Sequence, residues 1–144
     1  MEGLLERVAT NPHKTAALAY GGLGVLVIFI TFAAEMVPRS RADAVWQLVI
    51  GAVFVLVFAA LLWWGWWLLS AVLVLSNVWR ATTYFSAGLG LHIDLPTFSI
   101  TSVEPSPTAF INAALMAAIV LLLARSAWIG FFDWRTRRLA ERES

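Results

Sequence analysis

Long charge-free apolar stretches, separated by short polar breaks, set the pattern of this chain. Residues 15–34 carry no charge. Twenty helical residues rise ~30 Å, the thickness of a bilayer's hydrocarbon core. Asn11 is placed to cap this helix and Pro12 to open it, since proline lacks only an N–H that would be orphaned there. Pro38 prevents its continuation. Ser40 and Asp43 then resemble a second helix start. Residues 44–78 are again free of charge, and as one helix they would reach ~50 Å. In their middle stands Trp63-Trp64-Gly65-Trp66-Trp67. Tryptophans gather at membrane–water interfaces, so the sequence predicts a crossing that ends near Trp63. The helix then protrudes, tilts, or bends at Gly65. A fourth crossing after Gly65 needs a turn, and one glycine among four tryptophans is weak turn chemistry.

Residues 81–108 break the pattern with Gly88, Gly90, Pro96, Pro105 and Pro107 among Ser and Thr. Phe98, Ile100 and Val103 alternate with polar residues, which suits a short strand or a loop along the interface. Ser106-Pro107 opens a last helix, interrupted by Arg125. The expectation is an all-α integral membrane protein in one membrane domain. It has three transmembrane helices, or four if the chain turns at Gly65, and one long extramembrane loop. Its parts are a helix over 12–36, a long helix over 41–80, an outer loop over 81–108, a helix over 107–134 and a basic tail over 135–144.

Composition agrees. Of 144 residues, 60% are hydrophobic and 13% charged, against ~45–50% and ~25% in soluble domains. No cysteine is present, which excludes disulfides, thiolate nucleophiles and cysteine-held metals. The first residues lack a short apolar core with a small-residue cleavage site, so no removable signal peptide is expected. Lysine and arginine set orientation. The tail holds Arg135, Arg137, Arg138 and Arg142, whereas residues 81–108 hold Asp94 and Glu104 and no basic residue. The C-terminus is therefore expected in the cytoplasm of a multi-pass cell-membrane protein, with the loop outside. Three crossings would put the N-terminus outside, against Arg7 and Lys14, which four crossings serve better.

Within so apolar a chain each polar residue asks for a reason. A charge at the bilayer centre costs ~2.5–3.5 kcal/mol on insertion scales. On the helical face of Glu35 lie Gly24, Gly21 and Ala17, and on that of Arg125 lie Ala118 and Ala114. Small residues let helices approach in lipid. One expectation is that these stripes dock, with Glu35 paired to Arg125. The plainer one is that Arg125 snorkels and Glu35 marks a helix end. Ser70, Asn77 and Tyr84 share a face near Arg80, either as a polar path or as hydrogen bonds to neighbouring helices. His92, Asp94 and Glu104 are weak metal candidates, short of the ligand number and second shell a site needs. Trp63, Trp64, Trp66 and Trp67 are expected first as interface anchors or packing, and their clustering, beyond what anchoring requires, also suits lipid or partner contact.

No phosphate-binding loop, nucleophile elbow or metalloprotease helix is present, and no basic–aromatic pattern for nucleic acid. No cofactor is expected. The partners expected are membrane lipid and other membrane subunits or copies of the chain. The leading functional expectation is a non-catalytic accessory or scaffold subunit of a membrane complex or homo-oligomer. The alternative is a homo-oligomeric channel or small transporter, and a membrane enzyme is the remote third.

Overall fold

The computed structural model describes residues 10–33, 41–94 and 99–143. Among these lie four long helices, α1 (Pro12–Ala33), α2 (Arg41–Trp63), α3 (Trp67–Gly88) and α4 (Pro107–Glu143), and a hairpin of β1 (Leu91–Asp94) and β2 (Ser99–Ser102). Three of the helices, α1, α2 and α4, are long and apolar enough to cross a membrane.

Asn11 caps α1, its Oδ1 accepting the backbone N–H groups of His13 and Lys14 at 3.1 and 3.2 Å. The decisive feature is the break after α2. The sequence favoured one long helix over 41–80; instead the chain reverses at Trp64-Gly65-Trp66. Gly65 takes φ 84°, a left-handed conformation that closes a helix at little cost only for glycine. Its N–H donates to Leu62 O at 2.9 Å, and Trp67 N–H donates to Gly65 O at 2.9 Å. A single glycine in the left-handed region is sufficient turn chemistry, despite its bulky neighbours.

Side-chain levels fix the helix directions. Gly21 and Gly24 of α1 face Ala59 and Val55 of α2, while Gly51 faces Ile28, so α1 and α2 run antiparallel. Ser70 of α3 meets Ser126 of α4, and Gly88 meets Phe110, so these two are antiparallel as well. Tyr84 reaches Thr31 at the far end of α1, which makes α3 parallel to α1. The result is an up-down-up-down bundle in which α1 packs on α2 and α4, and α4 on α3, while α2 and α3 barely touch. Ala16, Tyr20, Val27, Leu62, Leu73, Ile119 and Leu123 form the core.

Two further boundaries move. The expected loop from 81 starts instead after Gly88, because Thr82, Thr83 and Ser86 return their hydroxyls to the carbonyls of Val78, Trp79 and Thr82. Gly88 then lets α3 lie against the Phe110 ring. The expected tail is helical, since α4 runs for 37 residues, about 55 Å, and projects its polar end beyond the bundle. The alternation around Ile100 does form a strand, with Ile93 opposite Ile100 and His92 opposite Thr101.

Candidate functional site

The interior of the bundle holds two polar clusters, one towards each end. Near the start of α1, His13 Nδ1 lies 2.8 Å from Ser126 Oγ, and Ser126 Oγ lies 3.1 Å from Ser70 Oγ. Three helices therefore meet at one hydroxyl. Ser70 and Ser126 are both fully buried. A hydroxyl–imidazole pair is the start of a nucleophile, but a substrate has no approach to this Oγ. The chemistry available to it is hydrogen bonding between helices.

At the other end the hub is Thr31. Its hydroxyl donates to Val27 O at 2.8 Å and so has no proton left to give. Asn112 Nδ2 donates to it at 3.1 Å, and the Tyr84 hydroxyl, 3.0 Å away, must then be a donor too. One donor and two acceptor sites are all a hydroxyl has, so Thr31 is saturated. Asn112, fully buried, keeps an Oδ1 with no hydrogen-bond partner among the described residues. Asn77, also buried, returns its Nδ2 to Leu73 O of its own helix at 2.7 Å.

These positions place the residues singled out by sequence. Ser70 and Asn77 face the interior, Tyr84 is half-buried, and Arg80 is exposed. Ala17, Gly21 and Gly24 are buried on α1, but the two small-residue stripes have different neighbours. The glycines meet α2, whereas Ala114 lies on the exposed side of α4, Ala118 is half-buried and Arg125 is exposed. Glu35, the other half of the expected ion pair, lies outside the described residues. The inner face of α4 is instead Ala109, Asn112, Met116, Ile119, Leu123 and Ser126, continued by Gly130. A Cβ on Gly130 would clash with the Cβ of Trp67 and lie 3.1 Å from His13 Cε1.

The tryptophans do not act as one group. Trp64 is 78% exposed and Trp66 is exposed, and Lys14 Nζ sits 5.1 Å over the Trp63 ring. Trp67 alone turns inward and packs against Phe131 and Trp134, at ring separations of 5.8 and 5.9 Å. His92 and Glu104 are exposed, and the Asp94 side chain is outside the described ones. Among the described residues no three His, Asp or Glu side chains gather to hold a metal.

Sequence reasoning placed Thr31 on the small-residue face of α1 without its role as a hub, and missed His13, Asn112, Ser126 and Gly130. The available signal was their spacing. Asn112, Met116, Ile119, Leu123, Ser126 and Gly130 recur every three or four residues, the period of one helix face. In comparisons with known proteins, no family model, no curated protein and no solved structure matches the chain.

Proposed function

We propose that this chain is a non-catalytic membrane subunit, a scaffold component that assembles with other membrane polypeptides. The observation that carries this reading is how the buried polar side chains are used. Ser70, Ser126, His13, Thr31 and Tyr84 bond to one another across helices, as helix glue does in lipid, so their hydroxyls are spent on holding helices together, while His13 also borders an open hollow. α2 is held mainly through α1 and leaves Trp46 and Phe54 66% and 58% exposed, a surface for lipid or a neighbouring helix. The chain extracted gently from its own membrane is expected to run in a complex with other polypeptides. A closed ring of identical chains that passes ions in liposomes would replace this reading with a channel, and a lone monomer would also overturn it.

The same reading has four crossings with both helix-bearing ends in the cytoplasm. α3 is as long as α1, at 22 residues, and turns Ser70 and Asn77 inward, away from lipid. Four crossings put Lys14 on the same side as Arg135, Arg137 and Arg138, with the acidic hairpin region opposite, in keeping with the bias of lysine and arginine at the two ends, while Arg39 and Arg41 fall on the hairpin side. Since the chain has no cysteine, single cysteines report sides without background. Ile100→Cys is expected to react with an impermeant maleimide from outside, and Trp64→Cys only after the membrane is opened. Labelling of Trp64→Cys from outside would rule out the fourth crossing.

A further inference from the structure

Two hollows at the basic end of the bundle, one with charged residues in its lining and one almost wholly apolar, share one wall. The first, about 210 Å³, is of mixed polar and apolar lining, formed by His13, Gly65, Asp133, Trp134 and Arg137 as well as Trp67. The second, about 330 Å³, is almost wholly apolar and runs between α3 and α4. Ala71, Ala124 and Ala127 leave it shallow-walled and open, and Trp128 and Phe131 flank it. Trp67 belongs to both, with its Cβ pressed against Gly130 and its ring against Phe131 and Trp134. A recess lined by Arg137 and Asp133, with Lys14 and Arg138 on flanking tryptophan rings, next to an apolar groove and at the end where interface tryptophans gather, is complementary to an amphiphile with an anionic head.

We infer that these hollows form a binding site for a single anionic phospholipid, with its headgroup in the Arg137–His13 recess and an acyl chain in the alanine-floored groove. The charge around the recess supports this. Arg137 lines it, Arg138 lies 5.2 Å over the Trp134 ring, and Lys14 lies over Trp63. The first turn of α3 begins at the same recess without a side-chain cap, and so adds the positive end of a helix dipole. A phosphate takes charge-assisted hydrogen bonds from Arg137, while the neighbouring guanidinium and ammonium groups hold it by charge. Asp133 works against a second negative charge and accepts a hydrogen bond from a headgroup hydroxyl. The lipid selected is therefore a monoanionic one with free hydroxyls, of the phosphatidylglycerol kind. The inference rests on the chain being embedded in a membrane and not on its role as a subunit.

The test uses the full chain in detergent micelles, with lipid retention read by native mass spectrometry. Phosphatidylglycerol is expected to be retained in preference to phosphatidylcholine, with one molecule per chain. Arg137→Gln is expected to weaken phosphatidylglycerol retention about ten-fold, as loss of a charged hydrogen bond does. Arg135→Gln removes the same charge beside the recess and is expected to leave retention unchanged. Ala127→Phe fills the groove and is expected to reduce retention even with Arg137 in place. Circular dichroism confirms that each variant is folded. Equal retention of both lipids by the unaltered chain, or equal losses from Arg137→Gln and Arg135→Gln, would overturn the site. Displacement of the lipid by millimolar glycerol phosphate would also overturn it, because the recess would then be a free-anion site with no use for the groove.

Discussion

Gly130→Ala is expected to destabilise the bundle by about 1–3 kcal/mol, the range for forcing extra volume into a packed core. The added methyl would clash with the Cβ of Trp67, lie 3.0 Å from its Cγ and lie 3.1 Å from His13 Cε1. Trp67 Cβ is attached to backbone and has no freedom to swing aside. The backbones of α3 and α4 must therefore separate where the Ser70–Ser126–His13 cluster ties them together. Gly22→Ala supplies the contrast, because a Cβ at Gly22 meets nothing within 4 Å. There alanine's better helix propensity is expected to leave stability unchanged or slightly raised. Reversible unfolding in mixed micelles, followed by circular dichroism, measures both. If Gly130→Ala unfolds at the same point as Gly22→Ala, the close approach of α3 and α4 at Gly130 is not part of the folded molecule.

That contact also shows where reading the sequence stops. Helix content, the membrane-compatible lengths of α1 and α2, the cap at Asn11 and the start at Pro107 follow from hydropathy and local chemistry, and all were legible. The reversal at Gly65 was not, because a positive φ at one glycine leaves no mark on hydropathy and four tryptophans argue for an interface. Charge bias was divided, since with a cytoplasmic C-terminus Lys14 fits the cytoplasmic side only with an even number of crossings, and Arg39 and Arg41 only with an odd number. Pairing of faces was harder still. Gly21 and Gly24 announce a close approach, but nothing local says that Ala59 and Val55 fill the space and not Ala114 and Ala118. Polar residues inside an apolar chain were rightly singled out as a class. Ser70 and Tyr84 were legible as polar residues on one face, but their partners Ser126 and Thr31 were not, and the interior connections are made by hydroxyls, one imidazole and one amide. Neutral polar groups cost less to bury than charges, so a membrane bundle can use them as interior ties and still insert.

Thr31→Val should have the other large effect, and its size depends on Asn112. Valine keeps the shape of threonine but removes the hydroxyl that accepts from both Asn112 Nδ2 and Tyr84. Asn112 is completely buried and already holds an unpartnered Oδ1, so the substitution leaves a whole amide without the partners it has now. A loss of about 1–2 kcal/mol is expected, towards the upper end for polar contacts between membrane helices, because a stranded buried polar group costs more than a hydrogen bond contributes. Asn112→Leu, with the same branching, removes the stranded carbonyl together with the donor. It is expected to be near neutral or stabilising, since Thr31 still has Val27 O and Tyr84. The two changes should therefore be strongly non-additive, with Thr31→Val costing less in the Asn112→Leu background than alone. A double-mutant cycle of unfolding free energies in micelles decides it. Equal cost of Thr31→Val in both backgrounds would mean that Asn112 and Thr31 do not act as a pair. A large loss from Asn112→Leu alone would mean that its Oδ1 has a partner in the folded protein.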